Sequence, residues 1–95
     1  MSDKPSHGAR FTFDRLAVEG EAARYGVLVV GPEREARAEA RLTPTSVELG
    51  PFRGSVDPWA ERSARAFLDV IQRGYDHEAG WPRHVQRWRA PRSED

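Results

Sequence analysis

Side chains that could bind a metal or transfer protons gather at one place in the sequence. Asp76, His77 and Glu78 are consecutive, and His84 follows. A structural zinc site needs several converging ligands, and the segment lacks the paired histidines of a helical metalloprotease site. No nucleophile or second base stands at a spacing typical of acid–base catalysis. We therefore interpret the segment as a polar loop and predict no cofactor. A small enzyme or metal-binding protein that uses this loop is the third functional hypothesis.

A second candidate for chemistry is an arginine-rich segment near the C-terminal end. Arginine binds phosphates and tryptophan stacks on bases, so the segment could bind nucleic acid through a set of basic and aromatic residues: Arg83, Arg87, Arg89, Arg92 and Trp88. The competing interpretation buries Trp81 and Trp88 against a sheet and leaves the arginines in solvent. The formal net charge of the chain is zero, whereas proteins that bind polyanions are usually basic. Nucleic-acid binding is therefore the second hypothesis.

Composition narrows the remaining possibilities. The 95 residues fit one domain. The chain has no cysteine, which excludes disulfides and thiol catalysis. Because it has neither a long apolar run nor a signal-peptide pattern, we predict a cytoplasmic protein that does not enter the membrane. Lys4 is the sole lysine among 15 basic residues. This bias towards arginine, with many alanines, indicates a GC-rich bacterial genome.

The most apolar stretch of the chain is residues 23–30, which reads Ala-Arg-Tyr-Gly-Val-Leu-Val-Val. Its β-branched and aromatic residues favour a strand. Side chains alternate across a strand, so one face carries Tyr25, Val27 and Val29, and the other carries Leu28 and Val30. Both faces are apolar, which indicates a central strand that is covered on two sides.

Three further strands are predicted around this stretch. Residues 10–19 form the first, and a bulge near Asp14 and Arg15 would keep its apolar residues on one face. Residues 34–42 alternate between alanine or leucine and charged residues, with the charged face in solvent. Residues 46–49 form a short edge strand before Pro51. Because the four strands are close in sequence, the simplest arrangement is an antiparallel meander.

Two helices are predicted to follow the strands. Asp57 and Pro58 are a typical N-cap and first helical residue, and an apolar stripe continues until Gly74. Trp81, Val85 and Trp88 are spaced as one side of a short second helix. The predicted fold is α+β: a four-stranded antiparallel meander followed by one long helix and a short C-terminal helix packed on one face. Residues 1–9 are predicted as a disordered arm, 10–90 as the domain and 91–95 as a tail.

The predicted helices are sufficient to cover one face of this sheet. Four strands span roughly 19 Å, and a helix spans about 10 Å, so the two helices fill a single face. An uncovered apolar face usually marks an interface. We therefore expect a non-enzymatic protein-interaction module, homodimeric through a sheet face or edge strand, or bound to another protein. The candidate interface residues are those of the apolar stretch: Tyr25, Val27, Leu28, Val29 and Val30. The alternative is that the N-terminal arm or residues 50–56 fold over the second face.

Overall fold

In the computed structural model, which describes residues 7–91, an antiparallel sheet is covered by a helix on one face. The strand order is β4-β3-β2-β1-β6, and β5 also pairs with β3. The elements in chain order are β1 Ala9–Glu19, β2 Ala22–Val30, β3 Glu35–Thr43, β4 Ser46–Leu49, β5 Arg53–Gly54, α1 Pro58–Arg73 and β6 His84–Arg89.

The α+β class, the antiparallel sheet and the long helix are confirmed, but the strand count and the second helix were wrong. The sheet has six strands, and the segment predicted as a C-terminal helix contains β6, which pairs with β1. Without β6, the 11-residue β1 would expose a whole edge of unpaired backbone groups. Pairing between β1 and β6 satisfies these backbone groups. Its contribution outweighs the preference for a helix that the spacing of Trp81, Val85 and Trp88 indicated.

The far edge of the sheet is one interrupted strand. β4 pairs with the second half of β3 and β5 pairs with its first half. Between them, the Gly50 N–H donates to the carbonyl of Glu39 at 2.9 Å, and Pro51 offers no backbone donor. The edge is therefore too irregular to pair along its length with another strand.

The bulge that was predicted near Asp14 and Arg15 is present in β1. The pairing of β1 with β2 shifts register between Arg15 and Ala17, so Leu16 is the extra residue. Phe13 lies in the core, but Leu16 and Val18 are each 50% exposed. Val18 pairs with Ala23 and lies on the same side as Phe13, but Leu16 lies on the opposite side against Gly26, so the expectation that all the apolar residues of β1 share one face was wrong.

The core lies between α1 and one face of the sheet. Phe11, Phe13, Tyr25, Leu42 and Leu68 are fully buried there. The alanines of β3 are buried as well, together with Ala60 and Ala64 of α1, and their small side chains let the helix lie close to the strands. Burial of these apolar groups is the main stabilising contribution to the fold.

The loop between α1 and β6 closes one end of the core. The hydroxyl of Tyr25 donates to the carbonyl of Pro82 at 2.6 Å, and the indole N–H of Trp81 donates to the carbonyl of Glu21 at 3.0 Å. Trp81 also stacks on Tyr75, with 4.3 Å between ring centroids. These contacts bury Trp81, as one of the sequence interpretations expected, and they direct the chain into β6.

The two predicted terminal segments fall largely outside the described residues. Residues 1–6 of the predicted arm and 92–95 of the predicted tail lie there, whereas Ala9 is the first residue of β1 and is buried. Within residues 7–91, α1 is too short and too polar to cross a membrane.

Candidate functional site

Within the described residues 7–91, no helix lies over the sheet face that points away from α1, and we call it the open sheet face. Strand alternation and the observed pairing place on it every second residue of four strands. These residues are Arg10, Thr12, Asp14, Leu16, Arg24, Gly26, Leu28, Val30, Glu35, Arg37, Glu39, Arg41, His84, Gln86 and Trp88.

Large apolar side chains lie on the β6, β1 and β2 part of this face. Trp88 is 53% exposed, and its ring contacts His7 edge to face at 5.4 Å. Leu16 is half exposed and Leu28 is partly exposed. Leu16 lies beside the Gly26 end of this face, whereas Trp88 pairs with Arg10 at its other end, so exposed apolar groups that favour association with another surface lie at both ends.

A depression in the open sheet face is centred on Gly26. It has a volume of about 610 Å³, and its lining includes Leu16, Leu28, Arg37 and Glu39. A Cβ at Gly26 would lie 3.5 Å from a methyl carbon of Leu16. The missing side chain of Gly26 therefore creates space that only Leu16 partly fills.

Charges of alternating sign cover the β3 part of the face. Along the strand they follow the order Glu35, Arg37, Glu39, Arg41. Arg37 donates to Glu35 at 3.2 Å, and Arg24 lies 3.6 Å from Glu39. All of these side chains are solvent-exposed to a large degree, so each ion pair contributes little to folding stability.

The predicted interface residues are divided between the two faces of the sheet. Tyr25, Val27 and Val29 are buried in the core beneath α1. Leu28 and Val30 lie on the open sheet face, where Val30 is buried and Leu28 is partly exposed. Sequence reasoning did not expect Leu16 to be exposed, because its face depends on the bulge. It left open whether Trp88 is buried or exposed, and the interpretation that buries Trp88 was wrong, since the side chain is 53% exposed on β6.

Arg87 and Arg89 of the predicted nucleic-acid surface do not share a face with Trp88. Arg87 and Arg89 pair with Phe11 and Ala9, so they lie on the α1 side of β6. The Arg89 guanidinium lies over the ring of Phe67, 4.9 Å from its centroid. Arg83 precedes β6, and Arg92 lies outside the described residues. Nucleic-acid binding stays a prediction, and Trp88 would contact a different surface from Arg87 and Arg89.

The loop that contains Asp76, His77 and Glu78 is organised by its own hydrogen bonds. The Asp76 carboxylate accepts the Glu78 N–H at 3.0 Å, and the Gly80 N–H donates to the Asp76 carbonyl at 2.6 Å. His77 lies 3.7 Å from Glu21. Among residues 7–91, no three histidine, aspartate or glutamate side chains are close enough to hold a metal ion.

His84 is separate from that loop and pairs with Asp14 on the open sheet face. The distance from its Nδ1 to the Asp14 Oδ1 is 2.6 Å. This hydrogen bond holds the pKa of His84 above its ordinary value. A histidine that is oriented by a carboxylate resembles part of a catalytic triad, which would also need a nucleophile beside the imidazole.

A cavity of about 360 Å³ lies at the start of α1. Its walls include Val29, Val56 and Trp59, and Arg34 and Asp57 stand beside them. Arg34 donates to the Asp57 carboxylate at 2.5 Å, so these two charges compensate each other. The cavity is therefore mainly apolar, and its charged pair is already satisfied within the chain.

Searches against protein-family models, curated proteins and solved structures found no match for this chain. Functional interpretation therefore depends on the geometry of its own surfaces.

Proposed function

We propose that this chain is a non-enzymatic protein-interaction module that forms a homodimer through the open sheet face. The observation that carries the proposal is the one-sided cover of the sheet: α1 packs on one face, while Leu16 and Trp88 are half exposed on the other. Twofold dimers are the commonest closed assembly of soluble proteins.

The size of the face fits this role. Four strands at about 4.8 Å spacing span about 19 Å, and nine residues at about 3.3 Å extend about 30 Å. The product is about 570 Å² for each copy, which is close to the lower end of the roughly 600–1,000 Å² that a standard interface buries for each partner. A second copy is therefore large enough to cover the face.

Size-exclusion chromatography with light scattering tests the proposal across the micromolar range. We expect a mass of twice the 10.7 kDa of the monomer. The substitution Leu16→Arg adds a charge to the apolar part of the face and should convert the protein to a monomer. Val70→Arg is the matched control, because Val70 is 55% exposed on α1 and Leu16 is 50% exposed on the sheet.

Val70→Arg should keep the thermal unfolding midpoint of the parent, whereas Leu16→Arg should unfold cooperatively at a lower midpoint that does not depend on protein concentration, because a monomer lacks the stabilisation that dimerisation gives. A parent protein that elutes at 10.7 kDa throughout the concentration range would remove the proposal. A dimer that both variants disrupt equally would also count against this face.

A further inference from the structure

The charges along β3 have an order that is complementary to itself. From Glu35 to Arg41 the row alternates negative and positive, and in the reverse direction it alternates positive and negative. Two copies of β3 that cross in opposite directions therefore place Glu35 opposite Arg41 and Arg37 opposite Glu39. A twofold axis that lies between the two sheets, runs perpendicular to the strands and passes between positions 37 and 39 produces this arrangement.

On the neighbouring strand β2, a leucine and a depression lie beside these same two positions of β3. Leu28 pairs with Arg37, and Gly26 pairs with Glu39. The rotation that places position 37 of one copy opposite position 39 of the other therefore also places Leu28 of one copy opposite Gly26 of the other. Leu28 of each copy then lies over the depression at Gly26 of the other copy, where Leu16 offers an apolar contact.

We infer that the open sheet face binds a second copy across a twofold axis that passes between Arg37 and Glu39. This inference rests on the proposed function and specifies its partner and geometry. Charge order and surface shape are independent properties of the sequence, and both select the same axis. Sheets that pack face to face keep their strands within about 30° of each other, so the residues nearest the axis remain opposite one another despite the twist.

The ion pairs within each chain do not oppose this arrangement. Glu35 and Arg37 are exposed, as are Arg24 and Glu39, and exposed side chains of this kind exchange partners at little cost. Sheets that face each other lie about 10 Å apart, a distance that one arginine and one glutamate can bridge together. The dimer should weaken as the salt concentration rises, because salt screens these pairs.

Charge reversal at the two central positions tests the inference. Arg37→Glu alone gives two like-charged contacts across the axis, and so does Glu39→Arg alone. Each variant should dimerise roughly 100-fold more weakly than the parent, since two attractive contacts become repulsive. An equimolar mixture of the two variants restores unlike charges at both contacts and should form a heterodimer.

Two further variants serve as controls. The double variant Arg37→Glu with Glu39→Arg keeps unlike charges opposite each other and should dimerise like the parent, which also verifies that both substitutions are compatible with folding. Arg65→Glu reverses a charge on the exposed side of α1 and should leave dimerisation unchanged. Sedimentation equilibrium with one differently labelled variant measures both homodimers and heterodimers.

The outcomes separate this inference from the proposed function. A parent dimer that Leu16→Arg disrupts, but that the charge reversals leave intact, would overturn the axis and keep the module. The axis would also be overturned if the single variants were monomers and their mixture stayed monomeric. A monomeric parent protein would remove both proposals.

Discussion

Tyr25 gives the most direct test of how the loop before β6 is fixed to the sheet. Its ring is fully buried, and its hydroxyl donates to the carbonyl of Pro82 at 2.6 Å. Tyr25→Phe keeps the ring and removes this hydrogen bond. We expect the free energy of unfolding at neutral pH to fall by about 1 kcal/mol, which corresponds to a decrease of about 4–8 °C in Tm for a domain of this size.

Alkaline pH should reduce this difference. Burial raises the pKa of Tyr25 from 10.0 to about 12, and Arg15 opposes part of the effect. Between these values the unfolded chain loses the phenolic proton while the folded chain keeps it, so stability falls as the pH rises. The contribution is complete below pH 10. A shift of this size corresponds to about 2.7 kcal/mol, and we expect about half, because Pro82 is exposed and water can approach the hydroxyl.

Two measurements test this reasoning. Urea unfolding at several alkaline pH values compares the parent with Tyr25→Phe, while Tyr75→Phe, which removes the other tyrosine, is the control. In the Tyr75→Phe protein, the ultraviolet absorbance of tyrosinate reports Tyr25 alone. Few other groups interfere, since the chain has one lysine and no cysteine. A titration midpoint at the ordinary tyrosine value in folded protein would refute the argument.

Two other predictions concern a glycine and a histidine. Gly54 has φ +95, and a Cβ there would lie within 2.4 Å of the backbone oxygen of Glu35, whereas Gly20 has φ +64 and open space around it. Gly54→Ala should therefore lower the free energy of unfolding by about 2–3 kcal/mol and Gly20→Ala by about 1 kcal/mol, and equal losses in urea titrations would contradict the contact. Asp14→Asn should lower the pKa of His84, because the hydrogen bond to the Asp14 carboxylate raises it; an unchanged NMR titration of the imidazole would show that this bond is absent in solution. With Asp14 present, the stabilising effect of the pair is complete at acidic pH and is lost as the pH rises through the raised pKa.

Local sequence patterns were sufficient to predict most of the strands and the long helix. The alternation in residues 34–42 predicted β3 to within one residue at each end, and Asp57, Pro58 and Gly74 predicted both ends of α1. These signals act over neighbouring residues, through side-chain alternation and through the backbone groups at helix ends. They do not depend on the position of any distant segment.

The candidate site could not be predicted in the same way. The row from Glu35 to Arg41 was interpreted as plain solvated surface, because its relation to Leu28 and Gly26 depends on the register between β2 and β3. Trp88 was interpreted as helical, because nothing near it in sequence specifies that β6 pairs with β1.

The sequence by itself therefore determined the α+β class, the order of the first four strands and the extent of α1. Tertiary structure alone decided that β6 completes the sheet and that Leu16 lies on the face opposite to Phe13. It also decided that Leu28 and Gly26 lie beside Arg37 and Glu39 on the open sheet face. The physical reason is that strand pairing and bulges satisfy backbone hydrogen bonds between segments far apart in the chain, and no local pattern records which segments these are.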